Sequence, residues 1–245
     1  MRVVFAGQVI ADTPDALYVW EWPGYPQYYV PMADVVPGAL RPTATVTMSP
    51  SRGTATHFTV GAGDREATDT AWCYTDSPLV ELRDRVRFEW SAMDAWFEED
   101  EEIFVHPRSP TTRIQILPSS RHVAVAVDGL TLAESHRPVF LHETHLPRRT
   151  YLPKLDVRMD LLLPSDTTSM CPYKGTATYW SVATPAGHRD DLAWSYPTPL
   201  RESDGIAGLV AFYDEWVDVT IDGVTQSRPT TPFSRGGAQR PESRG

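Results

Sequence analysis

An internal repeat at constant spacing limits the folds open to this chain. Residues 43–58 and 165–180 align without a gap, so that Pro50, Gly53, Thr54, Ala55 and Thr56 fall on Pro172, Gly175, Thr176, Ala177 and Thr178, an offset of 122 positions. At the same offset Gly7 matches Gly129, Glu21 matches Glu143, Tyr29 matches Tyr151, Pro31 matches Pro153, and Asp34-Val35 match Asp156-Val157. Leu40, Pro42, Thr45 and Met48 meet Leu162, Pro164, Thr167 and Met170; Asp69, Ala71, Trp72 and Tyr74 meet Asp191, Ala193, Trp194 and Tyr196. A gapless repeat of this length is a duplicated domain rather than a solenoid unit. The 245 residues accommodate two such domains, each able to close its own core. The expected layout is a first, degenerate copy over 1–97, an acidic and Pro-rich linker over 98–112, a second copy over 113–224, and a disordered tail over 225–245, rich in Arg, Ser, Pro and Gly.

Each copy reads as mainly β. The chain has 22 Pro, 15 Gly, 8 Trp and 10 Tyr, and short Val, Thr and Tyr runs recur between turn residues. Strands are expected at 2–5, 8–11, 16–22 and from 28 onward, and again at 123–127, 130–133, 139–144, 150–153, 176–182, 192–196, 208–213 and 217–222. Asp128-Gly129 between two such runs is a hairpin signal. Asp34 can cap a short turn of helix, and 156–163 reads as a short helix with Asp156 at its cap and Pro164 ending it.

A formal charge of -10 argues against a general nucleic-acid binder, because phosphate neutralisation needs a basic face. Arg228, Arg235, Arg240 and Arg244 lie in the tail, so the folded part is more acidic still. Cys73 and Cys171 are the only cysteines, too few for a disulfide scaffold or a Cys-rich zinc site. A reducing, cytoplasmic setting fits that usage. The first residues form too short an apolar run for a signal peptide, and no stretch approaches a membrane span, so no membrane partner is expected.

Chemistry concentrates in the second copy. Lys174 beside Gly175 puts an ammonium in a turn where backbone N–H groups can also converge, which suits an anionic group; the alternative is a solvated lysine in an ordinary Pro-Gly turn. Cys171 is a nucleophile if a cation activates it, and otherwise a small buried hydrophobe. By strand alternation Glu143 shares a face with Val139 and Leu141, as Glu21 does with Leu17 and Val19, so both carboxylates point toward apolar surroundings. A buried carboxylate needs a partner, and Lys174, Arg158 or a ligand can supply it. His142-Glu143-Thr144-His145 lacks the spacing of a zinc helix, and on a strand its histidines face opposite ways, so no metal is expected.

Glu143, Tyr151-Leu152-Pro153, Asp156-Val157, Ser165, the run from Cys171 to Tyr179, Ala193-Trp194-Ser195-Tyr196, Phe212-Tyr213 and Asp222-Gly223 together resemble the domain of unknown function family 427. Copy one resembles it in part, with Ser49, Ser51 and Arg52 in place of Cys171, Tyr173 and Lys174. The resemblance implies two tandem antiparallel β-tent-like domains, each with one short helix and with two sheets leaning over a pocket. Relatives of that fold often hold zinc, for which this chain lacks the cysteines. A provisional nucleotidyltransferase label attached to the family finds no support, because the chain has neither the Gly-Ser nor the Asp-x-Asp by which such sites usually hold their divalent ions.

The expected function is binding of a small polar or anionic ligand in a pocket of the second copy, without cofactor, through Lys174, Glu143, Arg158, Tyr151, Tyr179, Trp194 and Tyr196. The alternatives are an enzyme on a small metabolite, with Cys171 as nucleophile or Glu143 as general base, and a protein-interaction module.

Overall fold

The computed structural model describes residues 1–184 and 186–234, and in it the alternation of apolar and polar residues becomes a set of antiparallel strands. The Asp128-Gly129 hairpin illustrates the local cause. Both residues take the left-handed backbone of a two-residue turn, with φ of 50° and 79°, and Val127 pairs with Leu130 across it. Ala6-Gly7 makes the matching turn of the first copy, with φ of 51° and 70°.

The chain divides into two compact units, Met1–Ser109 and the residues from Pro110 onward. The first unit contains β1 (Arg2–Phe5), β2 (Gln8–Asp12), β3 (Leu17–Val19), β4 (Gln27–Pro31), β5 (Leu40–Ser49), β6 (Gly53–Ala62), β7 (Arg65–Cys73), β8 (Arg85–Phe88), β9 (Ala95–Glu98) and β10 (Glu101–Ile103). They form a four-stranded sheet ordered β10-β9-β1-β2 and a six-stranded sheet ordered β3-β4-β8-β7-β6-β5.

The second unit contains β11 (Ile114–Pro118), β12 (Val123–Val127), β13 (Leu130–Ser135), β14 (Val139–Glu143), β15 (Arg149–Leu152), β16 (Leu162–Cys171), β17 (Gly175–Thr184), β18 (Gly187–Ser195), β19 (Val210–Phe212), β20 (Asp218–Ile221) and β21 (Val224–Thr225). Its sheets are ordered β13-β12-β20-β21 and β11-β14-β15-β19-β18-β17-β16. Strands β12 to β21 thus repeat the connectivity of β1 to β10, and β11 is an added edge strand beside β14.

The repeat extends to side chains. Thr13 Oγ1 donates to Asp34 at 2.6 Å, and Ser135 Oγ donates to Asp156 at 2.7 Å. Isolated bridges join Ala11 with Val35 and Ala133 with Val157. The long hairpins slip register at matching places, between Pro42 and Val46 and between Pro164 and Thr168.

In each unit the two sheets share one core. Val3, Phe5, Val30, Val60, Phe88 and Trp96 carry it in the first; Val123, Val125, Leu152, Val182, Phe212 and Val219 carry it in the second. The alternate residues of the larger sheet project from its other face into a second, smaller cluster. Tyr29, Ala55, Tyr74 and Leu82 form that cluster in the first unit, and Leu141, Tyr151, Ala177, Tyr179, Trp194, Tyr196, Ile206 and Ala211 form it in the second.

Several local expectations are corrected. The segment 156–163 is not an α-helix: it holds two 3-10 turns, Lys154–Asp156 and Met159–Leu161, and then enters β16. The carboxylate of Asp156 is engaged by Ser135 and Arg137 rather than capping a helix, so tertiary pairing overrides the local signal. In the first unit the matching turn is the 3-10 segment Met32–Asp34. The strand expected over 16–22 ends at Val19, and Trp20 and Trp22 are exposed.

The acidic run after residue 97 is not a solvated linker at its start. Glu98 closes β9 and accepts from Tyr18 and Tyr28, and Glu101–Ile103 pairs with β9. Within the expected tail, over 225–234, Trp216 Nε1 donates to the Phe233 carbonyl at 3.0 Å and Thr231 Oγ1 donates to Glu215 at 2.6 Å. Residues 235–245 lie outside the described residues. Among the described residues no helix is long and apolar enough to cross a membrane.

Candidate functional site

The hairpin that joins β16 to β17 carries Cys171, Pro172, Tyr173 and Lys174. Cys171 pairs with Gly175, whose φ of +88° closes the turn in a region that side chains other than glycine rarely adopt. A second segment clasps this turn: Leu200 N–H donates to the Lys174 carbonyl at 3.2 Å and Ser203 Oγ donates to the Tyr173 carbonyl at 3.1 Å. Pro172, Tyr173 and Lys174 are consequently buried, which overturns the reading of Lys174 as a solvated turn residue, while Cys171 is half-buried.

Lys174 Nζ donates to Glu143 Oε2, and both side chains are almost enclosed, at 10% and 8% exposure. Burial works against the ammonium, yet the neighbouring Cys171 and Glu143 more than offset it and raise the lysine pKa, so the group stays charged. An ammonium has three donors. Among the described residues Glu143 is the one acceptor given to it.

Aromatic rings wall the pair. Tyr151 is 1% exposed, and its hydroxyl accepts from Trp194 Nε1 at 3.2 Å. Burial pushes the Tyr151 pKa up to about 12, partly countered by Lys174, so the phenol is neutral. Tyr196 is pushed up in the same direction by burial. Tyr179 and Ser169 share a hydrogen bond of 2.6 Å through their hydroxyls. The site is thus a charged pair inside an aromatic cluster, with the Cys171 side chain at its half-exposed margin.

The first unit builds a different arrangement on the same frame. Glu21 accepts from the Tyr29 hydroxyl at 2.6 Å and lies 3.9 Å from Arg52 and 3.3 Å from Arg87. Pro50 and Ser51 are exposed and Arg52 is half-buried, so this turn is open where its counterpart is closed. Thr47 and His57 share a hydrogen bond of 2.8 Å where Ser169 and Tyr179 stand in the second copy.

The guanidinium over the repeated tryptophan changes its strand of origin. Arg87 of β8 sits over Trp72 at 4.3 Å, whereas Arg149 of β15 sits over Trp194 at 5.6 Å. Strand pairing puts Ala211 where Arg87 stands, and the repeat offset puts Gln27 where Arg149 stands.

Of the residues singled out from sequence, Lys174, Glu143, Tyr151, Tyr179, Trp194, Tyr196 and Cys171 converge. Arg158 does not. It is exposed and pairs with Asp160 at 2.6 Å, two residues away. His142 and His145 are exposed, and among the described residues no group of three His, Cys, Asp or Glu side chains forms a metal site. Sequence reasoning missed Arg149 and Glu215, and took Tyr213 as part of the family resemblance without giving it a place in the site; all three stand behind Trp194. Arg149 makes two 2.7 Å hydrogen bonds to Glu215, and the Tyr213 ring lies 4.5 Å from that of Trp194. The only signal was Arg149 in a strand that the first copy fills with an uncharged residue.

No curated protein matches the chain. The family model described as Domain of unknown function (DUF427) matches residues 1–99 and again 115–223, and the chain belongs to that family as two tandem copies.

Proposed function

We propose that the second copy binds a small polar or anionic molecule at the Lys174–Glu143 pair, with an oxygen acceptor of the ligand on the Lys174 ammonium and the rings of Tyr151, Tyr179, Trp194 and Tyr196 around it. The incomplete shell of Lys174 carries this reading: a buried ammonium with three donors has one protein acceptor among the described residues. A buried ion pair is weak support for stability, because well-packed apolar residues of similar volume often do as well, so a ligand gives the pair a reason to be there. Copy one supports the assignment by contrast, since Glu21 there has Tyr29 and two arginines around it.

Cys171 favours a second reading, turnover through its thiol, because its side chain is half-buried beside Lys174.

Mass spectrometry of small molecules released from the purified full chain tests both. A molecule present with the native chain, retained by Arg52→Met and lost from Lys174→Met, is the expected result. A covalent adduct on Cys171 would favour turnover. No molecule above background, or loss from Arg52→Met alone, would remove the assignment to the second copy.

A further inference from the structure

A cavity of about 160 Å³ lies in the second unit, apart from the Lys174–Glu143 pair. It is a cleft partly open to solvent. Arg148 and Asp214 supply its charge, and Pro147, Val217, Val219 and Pro229 supply apolar wall. The remaining lining comes from Gln226 and Ser227, in the segment that follows β21. That segment is tied down by Gln226 N–H to the Val219 carbonyl at 2.8 Å and by Arg228 to Asp218 at 2.8 Å.

Neither charged group is fully hydrogen-bonded among the described residues. Arg148 lies with its guanidinium 4.6 Å from the Phe140 ring centre, and its Nε is buried without a hydrogen-bond partner. Asp214 has no hydrogen-bond or ion-pair partner among the described residues. A donor without a hydrogen bond at Arg148 Nε and a carboxylate without a direct partner at Asp214 therefore line one half-apolar cleft.

We infer that this cavity is a binding site for a small zwitterion of amino-acid size, its carboxylate on Arg148, its ammonium on Asp214 and its apolar side chain against Pro147, Val217, Val219 and Pro229. An anion alone would leave Asp214 unpaired, and a cation alone would leave Arg148 unpaired; each omission leaves a desolvated group without its partner.

The electrostatics agree. Burial pushes the Asp214 carboxyl up to about 6, against the pull of Arg149 and Arg148 and with the push of Glu215. The segment that follows β21 adds Gln226 and Ser227, which carry no charge. A ligand ammonium pairs with the ionised form, so binding weakens as the pH falls through about 6.

Calorimetric titration of the full chain with L-valine, isobutyrate and isobutylamine tests this. Saturable binding of L-valine is expected at about pH 8, with each half-ligand weaker by about tenfold or more. Asp214→Asn and Arg148→Gln should each weaken L-valine by about tenfold or more with the fold intact by circular dichroism. Lys174→Met should leave it unchanged, which separates this site from the proposed ligand site. Absence of saturable L-valine binding, isobutyrate binding as tightly as L-valine, or binding indifferent to Asp214→Asn overturns the inference.

Discussion

Arg149 and Glu215 meet through two parallel hydrogen bonds of 2.7 Å, with the glutamate side chain fully enclosed and the arginine 11% exposed. The fork geometry matches donor pair to acceptor pair, and Thr231 Oγ1 donates to the same carboxylate at 2.6 Å. Glu215→Ala is expected to cost about 3–5 kcal/mol, because it leaves a guanidinium buried and unpaired. Thr231→Val should cost about 1.5–3 kcal/mol, as one hydrogen bond lost from a charged acceptor. Urea unfolding of the two variants checks both; a Glu215→Ala loss no larger than that of Thr231→Val would contradict the buried pair.

Asp214 and Glu215 adjoin in sequence and titrate in opposite directions. Burial raises Asp214 from 3.8 to about 6, so its contribution to stability is intact below about pH 4 and is lost as pH rises through about 6. For Glu215 burial alone would raise the pKa, but the hydrogen bonds of Arg149 and Thr231 hold it below the usual range. Its contribution is present above the ordinary carboxylate pKa and is lost as pH falls through the depressed value. Asp214→Asn should therefore stabilise the chain at neutral pH by an amount on the order of 3 kcal/mol that vanishes near pH 4. Melting curves across that range decide it, and a benefit independent of pH would refute the buried-carboxyl account.

Glu143 and Lys174 give a sharper test in combination than singly. Glu143→Ala leaves the lysine as an uncompensated interior charge, and a loss of about 3–5 kcal/mol is expected. The apolar pair Glu143→Leu with Lys174→Met should recover most of it, since replacing both charges removes the desolvation cost together with the attraction. A double variant as unstable as the single one would show that packing geometry, not charge pairing, dominates.

The two cysteines should differ in reactivity. Cys73 is 3% exposed, and burial raises its pKa above the ordinary thiol value, whereas Cys171 is half-buried at the margin of the site. Iodoacetamide at neutral pH should label Cys171 first, with Cys73 following only on unfolding. Peptide mapping by mass spectrometry reads the order directly, and preferential labelling of Cys73 would reverse the assignment of the accessible thiol.

What the sequence by itself determined was local or periodic. The offset shared by Gly53 and Gly175 predicts two hairpins of one geometry, because a turn at φ of 92° and 88° lies where glycine alone is unstrained. Alternation put Glu143 on the face of Leu141, since a strand's side chains point to opposite faces in turn. Strand order was decided only in three dimensions. Glu143 had two cations to choose between, and Arg158 was taken by Asp160 two residues away, leaving Lys174. The clasp of Leu200 and Ser203 over the hairpin, and the meeting of Arg149 with Glu215, join residues distant in sequence. No periodicity encodes such pairs. They exist because β15 and β18 both flank β19, which carries the chain on to Glu215, and burial then forces each charge to find a partner.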